Sequence, residues 1–420
     1  MVVPSESRHL LEFLDSSPSP FHAVATARNS LIEAGFDVAD YSSVAVQHFG
    51  IEKGAVARGG ALVAWSWPSS SVRPGSLIVG AHTDSPGLRL KPNPLSSGAG
   101  MALLEVEIYG GVLLNSWLDR DLGIAGMVHL SDGTSRLVDT RRAVARIPQL
   151  AIHLDRDVNE KGLVLNRQNH LRPVLGSATA TLERLLEGTG LASTDDVAGF
   201  ELGLYDVTPA ALVGAVNDLV ASGRLDNLVS CWAAIDALVR VSVGVDRPLI
   251  VALFDHEEVG SESITGAAGP LLETVVDELL AARGMSGDRF DFLRHSLCLS
   301  ADNAHALHPN YPERHDSNHA PLVNRGPALK FNANQRYATT AAAAARVEAV
   351  ARAAGIPTQR FASNNAMPCG STIGPITATR LGIETVDIGV PQLAMHSARE
   401  TCGTLDPPAL RDLIVALATA

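Results

Sequence analysis

The sequence predicts an α/β protein: a mixed β-sheet flanked by helices, its chain interrupted by an inserted, mostly β unit. Three observations carry that expectation. Apolar runs of strand length, each followed at once by a polar segment, recur towards both ends, as at 76–80 and 249–254. Between about Pro94 and Leu204 the texture changes to short strand-like pieces divided by Gly, Asn and Asp turns. The length, 420 residues, exceeds what one hydrophobic core ordinarily serves. The expected division is 1–92 and 224–420 as one discontinuous α/β domain, with 93–223 as the insert.

The elements follow in chain order. A helix is expected over 20–34, where Phe21, Val24, Ala27 and Leu31 give an apolar side and Gly35 stops it. Strands are expected at 60–67 and 76–80, the second running straight into Ala81-His82-Thr83-Asp84-Ser85-Pro86-Gly87. In the insert, 103–109, 126–130 and 137–139 read as strands. There 155–169 is a polar stretch, and 178–187 a short helix with Leu182, Leu185 and Leu186 on one side. A further helix is expected over 208–221, with Thr208 as N-cap, Pro209 at its first position and Gly223 closing it. Strands at 249–254, 296–300, 328–332 and 385–388 follow. The helix expected over 338–354 contains the run 341–345, all alanine and strongly helix-forming. No fixed-period repeat is present.

Composition narrows the function. The formal net charge is -12 and no Lys/Arg cluster offers a phosphate track, which argues against nucleic-acid and anionic-membrane partners. Cys231, Cys298, Cys369 and Cys402 include no CxxC pair, so neither a zinc knuckle nor a disulfide framework is expected. Glu6, Arg8, His9 and Glu12 stand where a signal peptide needs an apolar run. No stretch reaches the roughly 18 apolar residues of a membrane span. A cytoplasmic protein is the expectation.

Five polar segments share one layout, each beside an apolar strand or helix: His82 with Asp84, Asp226, Glu257 with Glu258, Asp302, and His396. Loops beyond the carboxyl ends of α/β strands converge on one crevice, so these groups can meet in space. Two divalent ions need a bridging carboxylate and terminal His, Asp or Glu ligands. Asp226 would bridge; His82 and Asp302 would hold one ion, Glu258 and His396 the other. Asp84 would accept the second N–H of His82, or cap a turn. Adjacent acids on an extended segment point opposite ways, leaving Glu258 to ligate and Glu257 to act as general base on a bridging water. Each residue also has an ordinary structural reading: a lone histidine as donor, Asp226-Asn227 as a turn, Glu-Glu as solvated surface. No HExxH site is present, because Gly260 stands where its second histidine would fall.

Three other features bear on the site. His305, His308, His315 and His319 crowd one segment with Tyr311, either as a polar loop with caps or as a substrate rim that contacts the peptide or an oxyanion. Lys330 ends an apolar approach, reaching an acidic group or snorkelling to solvent. The Gly-rich segment 369–375 lacks nucleotide-loop spacing and reads as a tight turn near the crevice, with Cys369 structural.

The sequence resembles the M18 metallopeptidase family, which contains the aspartyl aminopeptidases. The likeness lies in 80–87, in Trp117-Leu118-Asp119-Arg120-Asp121-Leu122, and in 147–156, 225–227, 254–260, 300–311, 330–339 and 369–375. It ends with Gln392-Leu393-Ala394-Met395-His396-Ser397-Ala398-Arg399-Glu400. The resemblance implies a zinc-peptidase fold and a zinc pair, replaceable in vitro by cobalt or manganese, on His82, Asp226, Glu258, Asp302 and His396. It also implies Glu257 as general base and Asp84 as partner of His82. It implies that short peptides are the substrates and that the insert is a dimerisation domain. His153 of one subunit would then reach a neighbour's site, and dimers would build a tetrahedral dodecamer. His305, His319 and Lys330 would line the pocket, with Lys330 favouring acidic N-terminal residues. Ser363-Asn364-Asn365 departs from the Arg-Asn-Asp of many relatives, and some relatives prefer neutral ends. A related carboxypeptidase, an N-acyl amino-acid deacylase and a non-catalytic metal-binding scaffold stand as alternatives.

Overall fold

In the central sheet, alternate side chains sort to opposite faces, as the two-residue period of a strand requires. Leu77, Val79, Leu249, Val251 and Leu253 join one apolar cluster; Ile78, Ile250, Ala252 and Phe254 join another. Both faces are therefore buried, which is why these strands read as unbroken apolar runs. The first cluster is completed by helices Ser5–Asp15, Pro20–Glu33, Leu225–Val241, Ala341–Ala353 and Asp406–Thr419, the second by Leu271–Ala282 and Ile373–Leu381. The computed structural model describes residues 5–41, 52–68, 74–191, 196–241 and 247–420.

From edge to edge the nine-stranded sheet runs Asp37–Asp40, Lys53–Arg58, Ala61–Ser66, Leu249–Phe254, Leu77–His82, Leu297–Ala301, Glu384–Gly389, Ala328–Phe331 and Gln359–Ala362. Its fourth to seventh strands are mutually parallel, with Phe254 opposite His82 and Ser300 opposite Gly80. Their carboxyl ends consequently open on one side. A second sheet, of six antiparallel strands, is ordered Ser135–Asp139, Leu122–Leu130, Val197–Asp206, Gly87–Gly98, Met101–Tyr109 and Val174–Ser177. Leu88, Leu104, Trp117, Ile124 and Leu202 form its core. A third sheet joins Ala211–Val213, Leu219–Ser222, Glu400–Gly403, Pro391–Leu393 and Ala304–His305.

The architecture is mixed α/β with several sheets, as expected. Helices form at Pro20–Glu33, capped by the Ser19 side chain, and at Ala341–Ala353, capped by Thr340. The helix expected over 208–221 does not form. Gly214 and Asn217 take positive φ (92° and 57°) and turn the segment into a hairpin. Its second strand pairs with Glu400–Gly403, so its backbone groups are satisfied by a distant partner that local propensity does not register. The helix expected over 178–187 contracts to Leu182–Leu185, capped by Thr181. Among the described residues, no helix is long and apolar enough to cross a membrane.

Candidate metal centre

His82 is the last residue of its strand, and Asp302 follows the neighbouring parallel strand by one position, so pairing register sets them side by side. His82 Nε2 lies 3.6 Å from Asp302 Oδ1 and 3.4 Å from Asp226 Oδ1. On the other side of the same carboxylate, His396 Nε2 lies 3.4 Å from Asp226 Oδ2 and 3.4 Å from Glu258 Oε1. Asp226 thus presents one oxygen to the His82–Asp302 pair and one to the His396–Glu258 pair. His82, Asp226 and Glu258 also each offer a ligand atom within 4.8 Å of the others.

The electrostatics of these side chains suits a cation-binding cluster. Burial opposes a charged His82, yet the neighbouring carboxylates of Asp226, Asp302 and Asp84 raise its pKa well above the ordinary value. Burial alone would raise the Asp226 pKa, but the imidazoles of His396 and His82 bring it far below the carboxylate range. Asp226 Oδ1 is nonetheless buried without a hydrogen-bond partner. A buried, unpartnered carboxylate oxygen facing an imidazole nitrogen is costly unless a cation sits between them. The donor set of two imidazoles and three carboxylates suits a pair of divalent ions sharing Asp226.

Of the two readings of Asp84, the contacts favour the turn cap. His82 Nδ1 contacts the main-chain oxygen of Asp84 at 3.0 Å, while the Asp84 carboxylate oxygen stands 3.4 Å away. The Asp84 carboxylate instead accepts the main-chain N–H groups of Glu257 (3.0 Å) and Glu258 (3.1 Å). The segment carrying that acid pair is not extended. It is a single 3-10 turn, Glu257–Val259, entered through His256 at φ 61°. The pair diverges because of this turn, and Asp84 is what holds the turn.

Glu257 lies 4.0 Å from His82 Nε2 and stays 14% exposed at its side chain. Its pKa is pushed up to about 7, by burial first and then by Asp302, Asp226 and Asp84 against the imidazole of His82. A cavity of about 400 Å³ opens over these groups, lined in part by His305, Lys330, Tyr337 and the turn residues Gly370, Ser371 and Thr372. Lys330 is buried and points at the centre itself, donating to Asp302 Oδ2 (3.2 Å) and the Asn303 carbonyl (3.0 Å). His319 is exposed, bonded to Asp316, and is not among the residues lining this cavity. His153 is exposed on the turn Ile152–Leu154 and likewise does not line it.

Two contributors went unread as individuals. Glu400, 1% exposed, accepts the main-chain N–H of Asp226 (2.9 Å) and of His396 (2.5 Å), tying the two segments together. Its signal was faint: an acid four residues after a candidate ligand. Tyr109, whose hydroxyl donates to Asp84 Oδ2 at 2.7 Å, had none, since it ends a strand of the insert.

With the geometry in place, comparison with known proteins gives the lineage. Residues 13–410 match the family described as "Aminopeptidase I zinc metalloprotease (M18)". The probable M18 family aminopeptidase 2 of Streptomyces coelicolor is 50% identical over 417 residues, covering 97% of this chain and 96% of that one. Among solved structures, the chain is similar to one in the Ape4 and Nbr1 complex, with a TM-score of 0.93 and 34% identity over 98% of this chain and 85% of that chain. The mApe1 dodecamer of S. cerevesiae has a TM-score of 0.84 and 28% identity over 98% and 96% of the respective chains. A match of this extent, over residues that build the site, identifies the chain as a member of the M18 metallopeptidase family.

Proposed function

We propose that the chain is an aminopeptidase that releases N-terminal residues from short peptides, with Glu257 as general base. The observation that carries this reading is the placement of Glu257 at the cavity edge of a five-ligand cluster. Two bound divalent cations, zinc by the chemistry of the donors, would acidify a shared water and polarise the scissile carbonyl. His82, Asp302, Glu258 and His396 would hold these ions, with Asp226 between the two pairs. Glu257 would take a proton from that water and give it to the leaving amine. The Asp84 carboxylate fixes the Glu257 main chain so that this transfer needs no rearrangement.

Preference for an N-terminal Asp or Glu is the finer part of the proposal. It is supported by Lys330, which lines the cavity beside this cluster. Self-association through the insert is proposed too. Its support is a polar loop that exposes Leu150, Leu154 and Val164 to solvent, and the likeness to a dodecameric relative. In such an assembly His153 would serve a neighbouring subunit's cavity, and a cytoplasmic location would suit a peptide-trimming enzyme.

The test is a panel of peptides with free N-terminal Asp, Glu, Leu, Ala or Lys, each paired with its N-acetylated form, assayed with zinc, cobalt or manganese. Cleavage restricted to the free-amine series is expected. Equal cleavage of the acetylated series would replace this reading with a deacylase or carboxypeptidase. No metal-dependent cleavage of any peptide would leave a metal-binding scaffold.

A further inference from the structure

The six-stranded sheet touches the metal centre within one chain. Its strand Met101–Tyr109 ends in a turn, residues 109–113, that meets both halves of the site. At one end, the Tyr109 hydroxyl donates to Asp84 Oδ2, and Asp84 holds the Glu257–Glu258 main chain. Arg89, from the adjacent strand Gly87–Gly98, lies 3.5 Å over the Tyr109 ring and fixes it in place. At the other end, the Gly111 carbonyl contacts His396 Nδ1 at 3.0 Å, which leaves Nε2 to face Asp226 and Glu258. The Leu113 N–H donates to the His396 carbonyl at 3.0 Å.

At the two glycines between, a side chain would crowd the site. Gly110 has φ 73°, and a Cβ there would fall 3.1 Å from Glu258 Cβ and 3.2 Å from its main-chain oxygen. A Cβ on Gly111 would fall 3.3 Å from His396 Nδ1. The bare backbone of the insert is packed directly against two ligands.

We propose that the turn 109–113 is a positioning clamp through which the six-stranded sheet holds both halves of the metal centre: Tyr109 by way of Asp84, and Gly111 with Leu113 by way of His396. The insert is then part of the site's scaffold in its own chain, independent of any contact it makes with another subunit. Displacing the sheet moves the ligands. This inference rests on the two-cation reading above.

Gly111→Ala and Tyr109→Phe, made in the full chain, test it. Gly111 is exposed, so its substitution leaves the core untouched. Ions per chain are counted by elemental analysis after dialysis against graded chelator, and the cobalt-substituted proteins are compared by visible absorption. Gly111→Ala is expected to release one of its two ions about 10–100-fold more readily than the parent, with an altered cobalt spectrum, because the His396 ring must yield a few tenths of an ångström. Tyr109→Phe is expected to lower kcat about tenfold with KM within about twofold, because the base keeps its charge and loses its placement. If Gly111→Ala holds two ions with the parent's chelator dependence and cobalt spectrum, or Tyr109→Phe turns over at the parent's kcat, the clamp is overturned. Should Tyr109→Phe fail to fold, Gly111→Ala decides alone. A parent protein that itself binds fewer than two ions would remove the two-cation reading, and the clamp with it.

Discussion

Asp84→Asn isolates the contribution of one buried carboxylate. Asp84 is fully buried and carries three donors on two oxygens: Glu257 N–H on Oδ1, and Glu258 N–H with the Tyr109 hydroxyl on Oδ2. Asparagine keeps the shape but places an NH2 where one oxygen stood. Whichever way the amide turns, at least one main-chain N–H then faces another donor. A hydrogen bond to a charged group contributes about 1.5–3 kcal/mol, and an unsatisfied buried donor costs a similar amount. The turn can relieve that cost only by moving, and Glu257 moves with it. At about 1.4 kcal/mol per factor of ten, kcat should fall roughly 10–100-fold. His82 keeps its contact with the Asp84 main-chain oxygen, so two ions per chain should remain. The assay is steady-state turnover of a free-amine peptide, with elemental analysis and a thermal unfolding midpoint on the same sample. A variant with kcat within twofold of the parent and an unchanged midpoint would refute the anchoring role.

Three further outcomes are expected. Glu257→Gln should keep fold and metal while losing about 10²–10⁴-fold in kcat, read by turnover beside metal content; normal turnover would take the general base elsewhere. His82→Ala should lose metal as well as rate, measured by elemental analysis after gel filtration, and full metal content would remove His82 from the ligand set. His22, hydrogen-bonded to Ser19 at the start of its helix, has its pKa lowered to about 4, chiefly by burial. Unfolded, it takes up a proton near pH 6.5 that the folded chain refuses until about pH 4. Stability should therefore be fully present above about pH 6.5 and decline as pH falls towards 4, by at most about 3 kcal/mol. Unfolding midpoints of the parent and His22→Gln across that window check it, and parallel curves would disprove the assignment.

The ligand residues were legible because strand ends announce themselves: an apolar run stops, and His82, the Glu257–Glu258 pair or Asp302 begins. The buried helix Leu225–Val241 was not legible, since apolar side chains nearly all round it leave no 3.6-residue period. Asp226 therefore reads as the sequel to a helix that does not form, although it stands in the first turn of one that does. The hairpin at Ala211–Ser222 was hidden for a related reason: its second strand pairs with Glu400–Gly403, nearly 180 positions along the chain.

By itself, the sequence determined the α/β class, the residue types that can hold divalent ions, and their places at the ends of strands, because period and composition are local properties. Only the tertiary structure decided which oxygen of Asp226 faces which imidazole and that Asp84 serves the Glu257 turn more than the His82 ring. It also decided that Lys330 is turned onto Asp302, that the Tyr109 hydroxyl meets Asp84, and that the Gly111 carbonyl meets His396. Those choices depend on parallel register and on the packing of two sheets, which bring together groups as far apart in the chain as Gly111 and His396.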